Sequence, residues 1–175
     1  MPEDIKGTIN QCASCHGLDG NSNIKTIPSF AGSSEEYFKY AMEMYKNGSR
    51  PSDIMKSFTE NLTSEQLDKL AAYYSRQPFK VVDQPYDERL AEEGKELHDQ
   101  YCEKCHGNSG YVDPYYYGIL AGQWMPYLNL AIEQYLEGTR KTNDMMRKKI
   151  KRVQDEAGNE GLEKLIHYYA SIKQQ

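Results

Sequence analysis

Two short runs, Cys12-Ala13-Ser14-Cys15-His16 and Cys102-Glu103-Lys104-Cys105-His106, decide the organisation of this chain. Together they contain all four cysteines of the 175-residue sequence. The pattern C-x-x-C-H is the attachment sequence for a c-type haem. Two thiols three residues apart lie about one helical turn from each other, so both can bond the same porphyrin. We therefore expect two covalently bound haem c groups, held by Cys12, Cys15, Cys102 and Cys105, with His16 and His106 as iron ligands.

Zinc, disulfide and dithiol chemistry are the alternatives for these cysteines. A structural zinc site needs four thiolate or imidazole ligands, usually on two nearby knuckles, whereas the two pairs here are about ninety residues apart. Two disulfides or a redox-active dithiol would use the cysteines. Neither explains a histidine directly after the second cysteine in both runs, so haem attachment is the better interpretation.

The hydrophobic content is low for a domain that must form its core from side chains alone, with 38% hydrophobic residues and a mean hydropathy of −0.84. Domains of eighty to ninety residues, roughly half this chain, bury little surface by themselves. A large apolar group in each half would supply the missing interior. The net charge of −5 argues against nucleic acid and anionic membranes as partners. The sequence has no run of eighteen apolar residues that would predict a membrane span.

The two halves of the sequence repeat each other. Adding 90 to a residue number carries the first C-x-x-C-H run onto the second. The same shift carries Ala31, Gly32, Tyr37, Ala41, Tyr45, Gly48 and Arg50 onto Ala121, Gly122, Tyr127, Ala131, Tyr135, Gly138 and Arg140. A shift of 95 later carries Leu67, Leu70, Tyr73 and Tyr74 onto Leu162, Leu165, Tyr168 and Tyr169. We expect two similar all-α haem domains, at 1–76 and 87–175, joined by a proline-containing linker at 77–86.

Helical periodicity and capping residues predict the helix positions. One helix is expected at 3–15 and another from a cap at Ser33 or Ser34 to about Lys46, ended by Gly48. A third should run from Thr63 or Ser64 to about Arg76, and a charged one from Asp87 to Cys105. The segment Asp53-Ile54-Met55 is expected to lie in a loop.

A six-coordinate haem iron needs a second axial ligand, which is methionine in many cytochromes c. Met55 is the choice in the first half because Met42 and Met44 lie in an amphipathic helix and are expected to pack. In the second half the repeat leaves Met145 and Met146 open. Matching Asp53-Ile54-Met55 to Asp144-Met145-Met146 favours Met146. Histidine alternatives are His98, which shares a helix with His106, and His167 in the last helix.

Several other residues have less specific patterns. The backbone carbonyl of Pro28 is placed to accept from the His16 ring, with Gly118 at the equivalent position in the second half. Arg50 and Arg140 are expected either to pair with haem propionates or to be solvated at the surface. Residues 140–152 contain seven basic side chains and one acidic one, which predicts a docking face for an acidic partner or a solvated helix face.

The tandem C-x-x-C-H plan, Asp19-Gly20-Asn21-Ser22 and Asp144-Met145-Met146 resemble the soluble dihaem cytochromes of the cytochrome c4 group. The segments from Leu97 to His106, from Ile119 to Leu128 and from Gly161 to Ser171 are more similar still to the cytochrome subunit of flavocytochrome c sulfide dehydrogenase. The resemblance implies two class I cytochrome c-like domains with His16/Met55 and His106/Met146 as axial pairs. The segment Thr142-Asn143-Asp144 looks more like the free-standing carriers.

By this resemblance the chain would be a periplasmic electron-transfer subunit, exported with its leader removed and not catalytic alone. It would pass electrons from the FAD of a sulfide-oxidising flavoprotein partner to a soluble cytochrome c. The first alternative is a free dihaem shuttle to a terminal oxidase. The second is a dihaem peroxidase or similar enzyme with one open iron, for which the chain is short and both halves retain methionines.

Overall fold

The computed structural model describes residues 3–111 and 117–173. Within these ranges the chain forms helices, turns and loops without any strand. The helices are a 3₁₀ turn Glu3–Ile5, α1 Lys6–His16, α2 Glu35–Lys46, α3 Asp53–Thr59, α4 Ser64–Tyr74, α5 Glu88–Leu97, a π-helical turn His98–Cys102, a short turn Gly107–Gly110, α6 Met125–Leu136 and α7 Asp144–Ser171. Each helix in the described part of the chain is too short or too polar to pass through a lipid bilayer.

Two of the predicted caps begin helices of the first half. The Ser34 hydroxyl accepts a hydrogen bond from the Tyr37 backbone N–H at 3.1 Å and starts α2. Thr63 and Gln66 form a reciprocal capping box at the start of α4, which satisfies two of the free N–H groups of a helix end. Helix α2 ends at Lys46, as predicted, and Gly48, with φ 78°, follows the C-cap Asn47 and forms the turn that terminates the helix.

The expected loop around Met55 is a helix instead. The hydroxyl of Ser52 accepts a hydrogen bond from the Met55 backbone N–H at 3.2 Å, and Asp53 lies in the first turn. A serine N-cap followed by an acidic residue favours helix formation. Met55 is therefore the third residue of α3, and the geometry of the helix start fixes its position.

Each half has its own small hydrophobic core. In the first, α1, α2 and α4 pack around Ile5, Ile9, Phe38, Leu70 and Tyr74. In the second, Tyr101, Leu128, Ile150, Val153, Leu162, Leu165, Ile166, Tyr168 and Tyr169 form the corresponding cluster.

The internal repeat is visible in the backbone hydrogen bonds. The Gly20 carbonyl accepts from the N–H groups of Phe30 and Ala31, and the Gly110 carbonyl accepts from those of Leu120 and Ala121. In the same way the Gly32 N–H donates to the Tyr74 carbonyl, and the Gly122 N–H donates to the Tyr169 carbonyl. The duplicated sequence therefore folds into two copies of one loop-and-helix frame.

The π-helical turn at His98–Cys102 adds one residue to the second copy. Its characteristic bond runs from the Glu103 N–H to the His98 carbonyl at 2.9 Å, which spans five residues instead of four. Upstream of this turn the repeat shift is therefore 89, which matches the buried pair Ile5 and Ile9 to the buried Gly94 and His98. The predicted continuous helix from Asp87 to Cys105 is thus interrupted.

The last helix, α7, contains a break. Gly158 has φ 63° and ψ −163°, a conformation that suits glycine. The part before Gly158 corresponds to α3, and the part after it corresponds to α4. The second copy thus joins two helices that the first copy separates by the turn before Thr63.

The two halves meet along a polar seam centred on Gln123, which is 2% exposed. Its side-chain amide accepts from the Ser29 N–H at 3.0 Å and donates to the Ser29 carbonyl at 2.7 Å. The indole N–H of Trp124 donates to the Ser22 carbonyl at 2.8 Å. Gln84, in the segment between the halves, bonds the backbone of Gln123 and Met125. These contacts hold the two halves against each other.

Candidate haem sites

One continuous cavity of about 470 Å³ lies between the two halves. Its wall is mostly apolar, with a few polar groups, which is typical of a cofactor site. The cavity brings together the four predicted iron ligands, His16, Met55, His106 and Met146. Cys102 and Cys105 also line it. Cys12 packs on the first core, and Cys15 lies one turn further along α1, next to His16.

His16 ends α1 and is buried. Its Nδ1 lies 2.9 Å from the Pro28 carbonyl oxygen, the partner that the sequence predicted. When Nδ1–H donates to that carbonyl, the lone pair of Nε2 is free for a metal. Burial lowers the pKa of His16 more than the Pro28 hydrogen bond raises it, which keeps the ring neutral, the form that binds iron.

His106 occupies the equivalent position in the second half and is buried to the same extent. Burial, helped by the nearby His98, lowers the pKa of His106 to about 4, so this ring is also neutral at pH 7. Its Nδ1 has no hydrogen-bond partner among the described residues. The expectation that the Gly118 carbonyl accepts from His106 was therefore wrong. The Tyr37 hydroxyl packs against Gly118 instead, 2.6 Å from where a side chain would begin.

Met55 and Met146 hold equivalent positions at the two helix starts. Asn143 caps α7 by accepting from the Met146 N–H at 2.8 Å, as Ser52 does for Met55. Both methionines are partly buried and line the cavity. Met145 is 57% exposed, which favours Met146 as the ligand of the second half. The methionine assignment stays a prediction.

The histidine alternatives lie elsewhere. His98 is fully buried beneath the second C-x-x-C-H run and is absent from the cavity wall. The His167 ring accepts a hydrogen bond from the backbone N–H of Asp87 at 2.9 Å, and so connects α7 to the start of α5. Both residues therefore have structural hydrogen-bonding roles.

Two buried arginines, Arg50 and Arg140, also line the cavity, and their surroundings indicate whether the site suits a haem. Arg50 and Arg140 are only 5% and 7% exposed, so the alternative of surface solvation was wrong. Each guanidinium stacks on a tyrosine of its own half, at 4.5 Å from the Tyr45 ring and 4.6 Å from the Tyr135 ring. Neither takes part in the ion pairs found among residues 3–111 and 117–173.

A buried charge without a counter-ion is costly. Arg140 Nε has no hydrogen-bond partner in the described structure, and Arg50 Nη2 donates only to a neutral hydroxyl, that of Tyr127, at 2.6 Å. Burial alone would raise the pKa of Tyr127, but the two guanidinium groups hold it below 10.0. This strongly positive environment suits carboxylates. The residues present therefore fit haem, whose propionates would pair with Arg50 and Arg140.

Sequence reasoning missed a polar network behind the second site. With Nε2 protonated, the His98 ring donates to the Glu103 carboxylate and accepts at Nδ1 from the Tyr169 hydroxyl, 3.1 Å away. Glu103 also accepts from the N–H groups of Asn108 and Ser109, two residues with positive φ. The location of Glu103 between Cys102 and Cys105 was the available signal, but the π-helical turn that orients His98 towards it has no simple sequence pattern.

Comparisons with known proteins support haem attachment at the two C-x-x-C-H runs. The family model for subunit III of cbb3-type cytochrome c oxidase matches residues 7–73, around the first C-x-x-C-H run. Cytochrome c4 of Pseudomonas aeruginosa is 32% identical over 142 residues, covering 76% of this chain and 69% of that protein. The chain belongs to the cytochrome c4 family. It therefore carries two covalently bound haem c groups, at Cys12/Cys15 and Cys102/Cys105, in two tandem class I cytochrome c domains.

Two further similarities extend the cytochrome c4 comparison. The crystal structure of reduced cytochrome c4 from Pseudomonas stutzeri superimposes with a TM-score of 0.81 at 28% identity, covering 97% of both chains. The cytochrome subunit of sulfide dehydrogenase from Chlorobaculum tepidum is 44% identical over 63 residues, which are 36% of this chain and 56% of that subunit. Family membership makes this chain a dihaem electron-transfer protein.

Proposed function

We propose that this dihaem cytochrome is the electron-transfer subunit of a sulfide-oxidising flavocytochrome. It would take electrons from the FAD of a flavoprotein partner and pass them to a soluble cytochrome c. The observation that carries the electron-transfer part is the shared cavity, in which each half supplies one histidine and one methionine. The sulfide-specific part is supported by the 44% identity to a sulfide dehydrogenase cytochrome subunit.

The axial pairs in this proposal are His16 with Met55 and His106 with Met146. A haem iron supplies reversible one-electron chemistry, and a methionine ligand raises its reduction potential. The protein's own residues orient the ligands and keep water away from the haem. The Pro28 carbonyl orients His16, the helix starts at Ser52 and Asn143 position the methionines, and the apolar wall excludes water. If His16 with Met55 and His106 with Met146 bind the two irons, neither iron would have an open position for a substrate, and the substrate chemistry would belong to the flavoprotein.

Covalent haem attachment normally takes place outside the cytoplasm, which supports a periplasmic location for the chain. We propose domain boundaries at 1–76 and 87–175, with 77–86 as the connecting segment. No helix of the described structure lies in 77–86, and Val82 and Gln84 in that segment bond to the second half.

A free-standing shuttle is the second candidate. It is favoured by the extent of the cytochrome c4 match, which covers most of this chain, whereas the sulfide dehydrogenase match covers about a third of it. In that role the chain would carry electrons to a terminal oxidase without a permanent flavoprotein partner.

Purification of the haem protein from its native source separates the two candidates. The flavocytochrome proposal predicts that flavin and haem co-elute and that adding sulfide under anaerobic conditions reduces both haems. A free shuttle would elute without flavin, and sulfide would reduce it only slowly. A flavin-free haem protein that sulfide fails to reduce, even after the other native fractions are added back, would contradict the flavocytochrome proposal.

A further inference from the structure

The first two turns of α7 have a strongly basic surface. Between Asp144 and Arg152 lie five basic side chains and one acidic one. Four of the basic residues are exposed and one is partly buried. The sequence left open whether this segment is a docking face or merely solvated.

The repeat provides an internal comparison, because α3 holds the same place in the first half. A shift of 91 matches the caps Ser52 and Asn143, the acidic residues Asp53 and Asp144, and the two methionines. Residues 53–61, by contrast, contain one basic and two acidic side chains. Helix formation and ligand positioning therefore do not require the basic residues, since α3 achieves both without them.

The outward positions of the two helices differ in chemistry. Phe58, 42% exposed, and Glu60 in the first half correspond to Lys149 and Lys151 in the second. At three other exposed positions, Ile54, Ser57 and Asn61 are replaced by Met145, Lys148 and Arg152, whereas Lys56 and its counterpart Arg147 are basic in both halves. The surface beside the first methionine is thus apolar and weakly acidic, and the one beside the second is cationic around an exposed methionine.

Only part of this charge is compensated locally. Arg147 pairs with Asp144, and Lys151 pairs with Asp155 at 2.8 Å. Lys148 and Arg152 have no ion-pair partner among the described residues. They lie four residues apart, on the same side of the helix. Exposed cations that are not neutralised attract an oppositely charged surface from a distance.

The basic surface adjoins the second haem site. Lys149 lies over the Tyr101 ring at 5.8 Å, and both residues line the cavity. Met145 also lines the cavity. It lies at the outer edge of the cavity, where 57% of the residue is exposed to solvent. A partner bound here would therefore sit beside Met146 and the second haem.

We call this surface the basic face; it consists of Met145, Lys148, Lys149, Lys151 and Arg152. We propose that the basic face docks an acidic redox protein, and that this partner exchanges electrons with the second haem. The exposed methionine supplies an adaptable apolar centre, and the cations steer and orient the partner. One electron passes from the reduced partner to the ferric second haem, so the partner is oxidised by one electron and the haem iron becomes ferrous. This proposal rests on the electron-carrier role and is independent of the sulfide-specific partner.

The test uses the ferric holoprotein and reduced plant-type [2Fe–2S] ferredoxin, an acidic one-electron donor, as the probe. The double variant Lys148→Gln/Arg152→Gln removes two charges from the basic face. The matched control, Lys25→Gln/Lys46→Gln, removes two charges from exposed positions of the first half. Stopped-flow haem reduction should be about tenfold slower for the basic-face variant at low ionic strength, with the difference lost at high salt. The control should match the parent protein.

A neutral hydroquinone reductant should reduce all three proteins at the same rate, which shows that both haems are intact. Equal ferredoxin rates for the basic-face variant and the control would overturn the proposal, as would a deficit that persists at high salt. Failure of the unaltered protein to accept electrons from either donor would instead contradict the electron-carrier role itself.

Discussion

At the scale of single residues, the second C-x-x-C-H run depends on a buried histidine where the first half has an isoleucine. His98 replaces Ile9 once the extra residue of the π-helical turn is counted. A buried imidazole needs hydrogen-bond partners, and Glu103 and Tyr169 supply them. Burial works to raise the pKa of Glu103, but His98 and the amides of Ser109 and Asn108 hold it below 4.5.

The substitution Glu103→Gln tests this network. Because the pKa of Glu103 is lower in the folded protein, its carboxylate stabilises the fold above about pH 4.5, and this contribution is lost as the pH falls through the folded value. With the side chain 43% exposed, we expect a loss of about 1 kcal/mol at pH 7, or roughly 2–4 °C in Tm.

Thermal unfolding of the oxidised holoprotein at several pH values measures the effect of Glu103→Gln. The difference from the parent protein should be largest at neutral pH and shrink in acid. The control Glu160→Gln, at an exposed position of α7, should leave Tm nearly unchanged at every pH. A Glu103→Gln deficit that does not change with pH would mean that the carboxylate charge is not responsible.

At the scale of helices, the second half is organised by the close contact between α5 and α7. A side-chain carbon added at Gly94 would lie 2.0 Å from the backbone oxygen of Lys164. The two helices therefore pack backbone to backbone at this point, which only glycine allows. The side chains of Lys164 and Glu93 form an ion pair at 2.7 Å beside this contact.

We expect Gly94→Ala to destabilise the holoprotein by about 3 kcal/mol or more, because the backbones must separate. Chemical denaturation followed by haem absorbance measures this loss. Gly7→Ala is the matched control, since Gly7 is a helical glycine with nothing within 4 Å of the added carbon. This control should be stabilising by about 0.5–1 kcal/mol. Equal effects of the two substitutions would show that α5 and α7 can separate without cost.

Some of these elements could be predicted from the sequence, and others could not. The caps Ser34 and Thr63 were predictable because a hydroxyl before a helical period has a local physical role. Helix α3 was missed because it has only seven residues and is too short to show periodicity. The π-helical turn was missed because it is defined by one backbone hydrogen bond between residues five positions apart, and the composition around it still favours an α-helix.

At the scale of the whole molecule, the repeat and the two attachment runs were enough to predict two tandem helical haem domains. The burial of the Arg50 and Arg140 side chains was not predictable, because an arginine near a chain turn is usually solvated. Their burial depends on how the halves face each other across the seam at Gln123, and that arrangement follows from contacts distant in sequence, such as the one with Ser29.

The seam predicts that the halves unfold together. Replacing Gln123 by Met would leave the buried N–H and carbonyl of Ser29 without partners, at about 1–3 kcal/mol for each group. We expect Gln123→Met to lower the first unfolding midpoint and to split a single calorimetric transition into two. The exposed Gln100→Met should retain the single transition. An unchanged single transition in Gln123→Met would mean that other contacts couple the halves.

Our central claim is that the haem iron of each half is bound by one histidine and one methionine of that half. Proton NMR of the reduced native protein tests this directly, because the haem ring current shifts a bound methionine methyl group far upfield. We predict two such three-proton signals, one lost in Met55→Leu and the other in Met146→Leu, with both retained in Met145→Leu. Fewer than two upfield methyl signals, or loss of one in Met145→Leu, would contradict the account.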